Sequence, residues 1–102
     1  MKKVLKFKFQ DQEGFLSVVE KSGFYYALVK KDTPKVASIL DKHRLLISYE
    51  LKNPKYQEVL AHVIYEETHI EWVYHTLEAE NNLYYKALDS SLCVLEIEMN
   101  KD

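Results

Sequence analysis

The spacing of apolar residues changes along this chain, and that change limits the folds it can adopt. Apolar and polar residues alternate over residues 4–9, and this period of two is typical of a half-buried β-strand. Further strands are predicted over residues 24–29, 44–51, 56–66 and 92–99. Helical spacing replaces this period over residues 34–42 and 68–86. Together with a strand at residues 15–19, these segments predict an α+β fold. Their order is strand, strand, strand, helix, strand, strand, helix, strand.

Residues 15–19 form an apolar run that allows two interpretations. As a strand, the run pairs with residues 24–29 in a hairpin that turns at Lys21-Ser22-Gly23. As part of a short helix over residues 14–21, it places Phe15, Val18 and Val19 at helical spacing. The second interpretation would lead to a ferredoxin-like regulatory module.

The first helix has a well-defined start. Thr33 is a good N-cap, and Pro34 suits the first helical position. Lys35 lies in the first turn, where backbone N–H groups and the positive end of the helix dipole attract anions, and Lys30 and Lys31 lie just upstream. These residues favour an anionic ligand, and an ordinary helix cap with solvated lysines is the alternative.

Charge argues against a nucleic-acid partner. The 102 residues include fourteen Lys and Arg against sixteen Asp and Glu, for a net charge of -2. Arg44 is the only arginine, whereas bidentate recognition of bases and phosphates relies on Arg. We therefore expect no nucleic-acid partner. We also expect no membrane partner, because no apolar run is long enough to cross a bilayer.

Length and cysteine content suit one cytoplasmic domain over residues 1–102. Cys93 is the only cysteine, so the chain needs no oxidising compartment for an intrachain disulfide. Its apolar surroundings favour a small buried hydrophobe over a nucleophile. Met1-Lys2-Lys3 leads into alternation rather than an apolar run, so we expect no signal peptide.

The spacing of histidines and acids does not predict a metal site. Glu71 and His75 stand at i, i+4 on the second helix and could reach one ion, but zinc sites need three or four ligands, and a surface pair is favoured. His69 is poorly spaced for the same face, and His62 lies on a strand. No constellation of nucleophile and base can be argued from spacing, so the catalytic residues stay unassigned.

From about residue 24 onward, several segments follow one another in a characteristic order. A strand leads into the helix start Thr33-Pro34-Lys35, and two strands over residues 44–50 and 56–65 follow. A helix containing Trp72 and a strand over residues 92–98 complete the series. In order and spacing, about three quarters of the chain resembles the pyridoxamine-5′-phosphate-oxidase-like FMN-binding split barrels. The resemblance implies an antiparallel split β-barrel with two main helices, and it implies a small FMN-binding protein of the oxidoreductase class.

The resemblance also implies a cofactor site and a partner. The implied FMN-binding residues are Lys30, Lys31, Thr33, Lys35, Tyr25, Tyr49 and Trp72. Lys35 matches the family's helix-start lysine and Thr33 its hydroxyl donor, while the aromatic residues would line a flavin slot. Packing in the core or a dimer is the alternative for each aromatic. Because the flavin of this family lies at a two-fold interface, a homodimer is the implied partner, and a small-molecule ligand is a further one.

A second hypothesis is a structural or interaction protein. Typical members of the family carry a Gly-x-Pro segment and an extra strand before the matching region, and residues 15–30 are too short to hold them. With a single arginine and no acid-base constellation, the chain also fits a degenerate split-barrel dimer that binds no cofactor.

Overall fold

Eight regular elements follow one another in the order that the apolar spacing predicts. They are β1 (Val4–Phe9), β2 (Gln12–Lys21), β3 (Phe24–Lys30), α1 (Pro34–Lys42), β4 (Arg44–Ser48), β5 (Gln57–Ile64), α2 (Glu67–Ala79) and β6 (Leu92–Glu98). The structure is a computed structural model that describes residues 3–85 and 87–99. The predicted α+β class is confirmed.

The six strands form a closed antiparallel barrel. Their order around it is β1-β2-β3-β6-β5-β4, and β4 pairs back with β1 through residues such as Phe7 opposite Ile47. Within this ring β2 pairs with β1 through residues 12–17 and with β3 through residues 18–21. The β2–β3 hairpin is confirmed, because Lys21 pairs with Phe24 across a two-residue turn. Ser22 and Gly23 in that turn both have positive φ, 53° and 88°, as in the turns that match the twist of paired strands.

The helix proposed for residues 14–21 is wrong, because these residues lie within β2. β2 pairs first with β1 and then with β3, so it supplies the hydrogen-bond partners of two strands. Leu16 and Val18 point into the barrel, while Val19 packs outside it. A helix here would leave the barrel open between β1 and β3. The ferredoxin-like alternative fails with it.

The barrel interior is a single apolar cluster. Its buried members are Leu5, Leu16, Val18, Tyr25, Ala27, Val29, Val36, Ile39, Leu45, Ile47, Val59, Ala61, Cys93, Leu95 and Ile97. Val36 and Ile39 come from α1, and each is only 1% exposed. The apolar stripe of α1 is therefore packed into the same core as the strands, which fixes the helix against the barrel.

A second apolar cluster lies outside the barrel, beneath α2. Its buried members are Val19, Tyr26, Leu28, Ile70, Val73, Tyr74, Leu77, Leu92 and Val94. β3 and β6 are thus covered on both faces, which explains their nearly continuous apolar sequences. Ile70, Val73, Tyr74 and Leu77 form the buried stripe of α2, whereas Ala79 is exposed.

The second helix is shorter than predicted. α2 ends at Ala79, and Asn81 adopts a left-handed φ of 55°. The Asn82 backbone N–H then donates to the Leu77 carbonyl at 2.9 Å, which satisfies a helix-terminal acceptor. The expected end at Lys86 lies outside the described residues. Tyr84 and Tyr85 consequently belong to an irregular segment before β6.

Cys93 offers a chemical probe of the closed barrel. Its side chain is 0% exposed, and burial raises the pKa of the thiol, so both access and thiolate formation are suppressed. We expect a thiol reagent such as Ellman's reagent to leave Cys93 unmodified in the folded protein and to modify it fully in denaturant. Rapid modification of the native protein would contradict the barrel packing.

Candidate functional site

The candidate site starts from a direct pairing between β1 and β2. Phe7 and Gly14 lie opposite one another in the register of these strands. A Cβ atom at position 14 would lie 2.8 Å from two ring carbons of Phe7, Cε1 and Cζ, so the ring occupies the space that a side chain would fill. A ring lying over a cross-strand glycine is a known way to stabilise a strand pair. The pairing therefore fixes an aromatic platform on the barrel.

Lys35 places its ammonium group on that platform. Its Nζ lies 4.0 Å from the centroid of the Phe7 ring, the shortest lysine–aromatic distance among the described residues. Lys35 is half-buried in the first turn of α1, and burial lowers the pKa of its ammonium group. Within residues 3–85 and 87–99, no carboxylate oxygen comes within 4.0 Å of it. The ring attracts this partly dehydrated cation without neutralising it.

Two adjoining cavities meet at this lysine. Their volumes are about 480 and 410 Å³, and their walls share Phe7, Val29, Lys35 and Tyr85. We call the combined space the aromatic groove. Its further aromatic lining residues are Phe9, Phe15 and Tyr84. Phe15 and Tyr84 are 62% and 83% exposed, so the groove opens to the surface between apolar rings.

Three predicted ligand residues meet at this groove. Lys30, Thr33 and Lys35 all line the smaller cavity. The Lys30 Nζ donates to Ser91 Oγ at 2.8 Å and lies 5.4 Å from the Tyr85 ring centroid. Thr33 caps α1 as predicted, because its Oγ1 accepts from the Val36 backbone N–H at 3.3 Å.

The cap also restricts what Thr33 can do. The same hydroxyl lies 3.4 Å from the Lys30 carbonyl oxygen, to which it donates. The Thr33 hydroxyl therefore uses its one proton and one of its lone pairs in hydrogen bonds within the start of α1. Lys31 is not among the lining residues, and its backbone N–H donates to the Ser91 carbonyl at 2.8 Å.

The other predicted aromatic residues lie away from the groove. Tyr25 is buried in the barrel interior, with its ring 5.9 Å from that of Tyr49. Trp72 packs edge-on against Tyr26 at 5.2 Å, beneath α2. None of the three predicted aromatics lines either cavity of the groove. Core packing, the alternative given for such residues, describes Tyr25 and Trp72 in this structure.

The aromatic residues that do line the groove were missed from the sequence. Phe7 and Phe9 stood out only as the buried face of a strand, and Phe15 as part of an apolar run. Phe7 could have been identified as a groove residue from its register with Gly14. That register depends on the length of the β1–β2 turn. That turn contains only Gln10 and Asp11, because Phe9 already pairs with Gln12.

The histidines and acids of α2 do not form a metal site in the described part of the chain. Over residues 3–85 and 87–99, no three His, Cys, Asp or Glu side chains are grouped for metal binding. His75 contacts Glu78 at 3.4 Å across one helical turn, as an exposed pair. In the same described ranges, no helix has the length and apolar character needed to span a membrane.

Comparison with known proteins identifies the fold. No protein-family model and no curated protein matches the sequence. The structure matches the crystal structure of a candidate pyridoxamine 5′-phosphate oxidase from Listeria innocua, with a TM-score of 0.60 and 16% identity over 94% of this chain and 81% of that one. It also matches an F420 reductase, with a TM-score of 0.59 and 10% identity over 98% and 86% of the two chains. The chain has their fold.

This match confirms the antiparallel split β-barrel with two main helices that the resemblance implied. The resemblance to the pyridoxamine-phosphate-oxidase-like split barrels therefore holds at the level of fold. In this split barrel the aromatic groove lies where the first turn of α1 meets β1 and β3. The position of Lys35 thus follows from the architecture.

Lys35→Met tests whether the lysine is held at a cost to stability. The folded protein must keep its ammonium partly out of water, so we expect Lys35→Met to be at least as stable as the wild type in urea near neutral pH. Because burial lowers the pKa of Lys35 below 10.5, the unfolded state binds more protons between the two pKa values. The free energy of unfolding of the wild type should therefore increase as the pH rises toward 10.5, and that of Lys35→Met should lack this increase.

The matched control is Lys55→Met, at an exposed lysine in the β4–β5 loop. It should change neither the urea midpoint nor the pH dependence. A loss of more than about 1 kcal/mol in Lys35→Met would instead identify a lysine retained for its contact with the Phe7 ring.

Proposed function

We propose that the aromatic groove binds FMN and that this protein is a small flavin-binding oxidoreductase of the split-barrel class. The observation that carries the proposal is the half-buried Lys35 ammonium, which rests on Phe7 without a carboxylate partner. A partly dehydrated cation that no carboxylate neutralises among the described residues is stabilised once an anion binds to it.

A phosphate group fits the charges around this lysine. Lys35 lies in the first turn of α1, where the positive end of the helix dipole favours an anion. Lys30 supplies a second cation in the wall of the same cavity. Among the described residues that line the two cavities none is acidic, and the charged ones are Lys30 and Lys35.

A planar ring system fits the rest of the groove. Aromatic side chains from β1, β2 and the segment before β6 form its walls, and rings of this kind stack on flat conjugated ligands. The cavity volumes fall in the range of small-molecule sites. A ligand with one phosphate and one flat ring system therefore satisfies both ends of the groove.

A bound flavin would supply hydride or electron transfer, and the protein would supply position and electrostatics. In this proposal Lys35 and Lys30 hold the phosphate, and Phe7 fixes the Lys35 ammonium. The aromatic walls exclude water from the ring system. The two structural neighbours are an oxidase candidate and a reductase by name, which supports redox chemistry on this fold.

A cofactor-free split barrel is the second candidate function, and one set of observations favours it. The Thr33 hydroxyl is used within its own helix cap, and Tyr25, Tyr49 and Trp72 lie away from the groove. Four of the seven residues implied at the cofactor site, including Lys31, are thus outside the groove lining. In that case the barrel acts as a structural or interaction protein.

We propose a homodimer as the working form in either case, in the cytoplasm. Phe15 and Tyr84 leave aromatic surface exposed at the rim of the groove, which a second subunit would cover. A cytoplasmic location suits the free thiol of Cys93, because no disulfide has to form.

A comparison of FMN with riboflavin tests the cofactor proposal. Riboflavin has the same ring system without the phosphate, so it reports the aromatic part of the groove alone. We expect wild-type protein to quench FMN fluorescence on binding. Lys35→Glu should weaken FMN binding by about 2 kcal/mol, or roughly 30-fold, because it replaces attraction by repulsion. Riboflavin binding should change far less.

Lys55→Glu is the control of equal charge change and should bind FMN as the wild type does. Gly14→Ala keeps all charges but forces the Phe7 ring aside, so it should weaken FMN binding through the displaced lysine. Absence of FMN binding by the wild type would favour the cofactor-free function. Equal loss of FMN and riboflavin in Lys35→Glu would show that the lysine does not contact the phosphate.

Sedimentation equilibrium tests the dimer. We expect a dimer at micromolar concentration and a shift toward monomer in Phe15→Glu, because a charge would be placed in the covered surface. Leu40→Glu, at an exposed apolar residue of α1, should leave the mass unchanged. A monomeric wild type would contradict the proposed assembly.

A further inference from the structure

We propose a second, independent site: His43 and His62 together bind a divalent transition-metal ion of the zinc type. The two imidazole rings have centroids 5.3 Å apart and planes inclined by 38°. Both side chains are exposed, so an ion and its waters can approach them directly. The sequence predicts no such site, because it associates His75 with Glu71 and gives no reason to associate His43 with His62.

The backbone explains why the two histidines meet. α1 ends at Lys42, and His43 caps it in the left-handed conformation, with φ 56° and ψ 35°. Its N–H donates to the Ile39 carbonyl at 2.8 Å, and its own carbonyl accepts from the Ala61 N–H at 3.0 Å. These two bonds tie the residue to α1 on one side and to β5 on the other.

The left-handed conformation also decides where the ring points. In an extended strand, position 43 would share the face of Leu45 and Ile47, which point into the barrel. His43 is instead exposed. His62 lies on the outward face of β5, between the inward residues Ala61 and Val63. The turn at the end of α1 thus brings one imidazole next to another outside the barrel.

The separation of the rings suits a shared ion. Zn–N bonds are about 2.1 Å long and zinc coordination is tetrahedral, so two imidazoles on one zinc have centroids about 5 Å apart. The observed centroid distance of 5.3 Å matches this separation. Imidazole is a preferred ligand of zinc and related ions.

The surroundings are compatible with a cation. The last carbonyls of α1 give this end of the helix a negative partial charge. Glu96 lies opposite His62 in the β5–β6 register, where its carboxylate accepts a hydrogen bond from the Tyr26 hydroxyl at 3.1 Å. Arg44 directly follows His43 in the sequence, and its charge is offset by Glu58, whose Oε1 lies 3.9 Å from the Arg44 Nε.

Two protein ligands define the kind of site this is. Among the described residues no third His, Cys, Asp or Glu joins them, so two coordination positions stay open to water or to an incoming donor. A structural zinc site would be closed by four protein ligands. The His43–His62 pair therefore binds its ion exchangeably, at the opposite end of α1 from the aromatic groove.

Calorimetric titration of the full, untagged chain with Zn²⁺ tests the site. We expect one ion to bind, and His43→Asn and His62→Gln each to weaken binding at least about tenfold, because the second imidazole binds intramolecularly at high effective concentration. Asn also tolerates the left-handed backbone at position 43. The matched control replaces the other two histidines, His69→Gln with His75→Gln, and should bind zinc as the wild type does.

Two results would overturn the proposal: zinc binding unchanged in both single variants, or zinc binding lost in the control. Protection of Cys93 from thiol reagents shows that each variant is folded. Paramagnetic Co²⁺ gives a second measurement, since it should broaden the ring signals of His43 and His62 before those of His69 and His75. FMN binding should be unaffected by His43→Asn, so failure of this proposal is distinguishable from failure of the cofactor proposal.

Discussion

Closure of the barrel by pairing β1 with β4 is the constraint on which the rest of the structure depends. It joins the two ends of the strand order, so that β1 is held between β2 and β4 and carries Phe7 toward the first turn of α1. α1 connects β3 to β4 and is fixed by Val36 and Ile39 in the barrel core. The start of this helix, its lysine and the ring beneath it are therefore positioned by strand pairing together with the packing of α1 into the core.

Lys35 shows that the fold can hold a charged group in an unfavourable environment. The barrel partly removes its ammonium from water, and the centroid of the Phe7 ring lies 4.0 Å from its Nζ. A methionine would fill the same space with less penalty. Under the proposed function a ligand anion would complete its charge, and stability and binding should then respond to its replacement in opposite directions.

Local patterns in the sequence predicted most of the fold, and long-range register decided what they missed. Thr33-Pro34 marked the start of α1 because a helix cap involves neighbouring residues only. Strand alternation placed Cys93, Leu95 and Ile97 on one face, which is the interior. The groove was only partly predicted, because the position of Phe7 beside Lys35 depends on pairing between separate strands. Tyr25 was assigned to a flavin slot, but its face of β3 points into the core.

The position of β6 has a consequence for how the chain becomes folded in a cell. It is the last strand in sequence, yet it lies between β3 and β5 and completes both apolar clusters. Until β6 has left the ribosome, a nascent chain exposes the unpaired edges of β3 and β5. Both apolar clusters are then incomplete. Such edges are sites of wrong association. Folding of this barrel is therefore completed only when β6 is available to pair with β3 and β5.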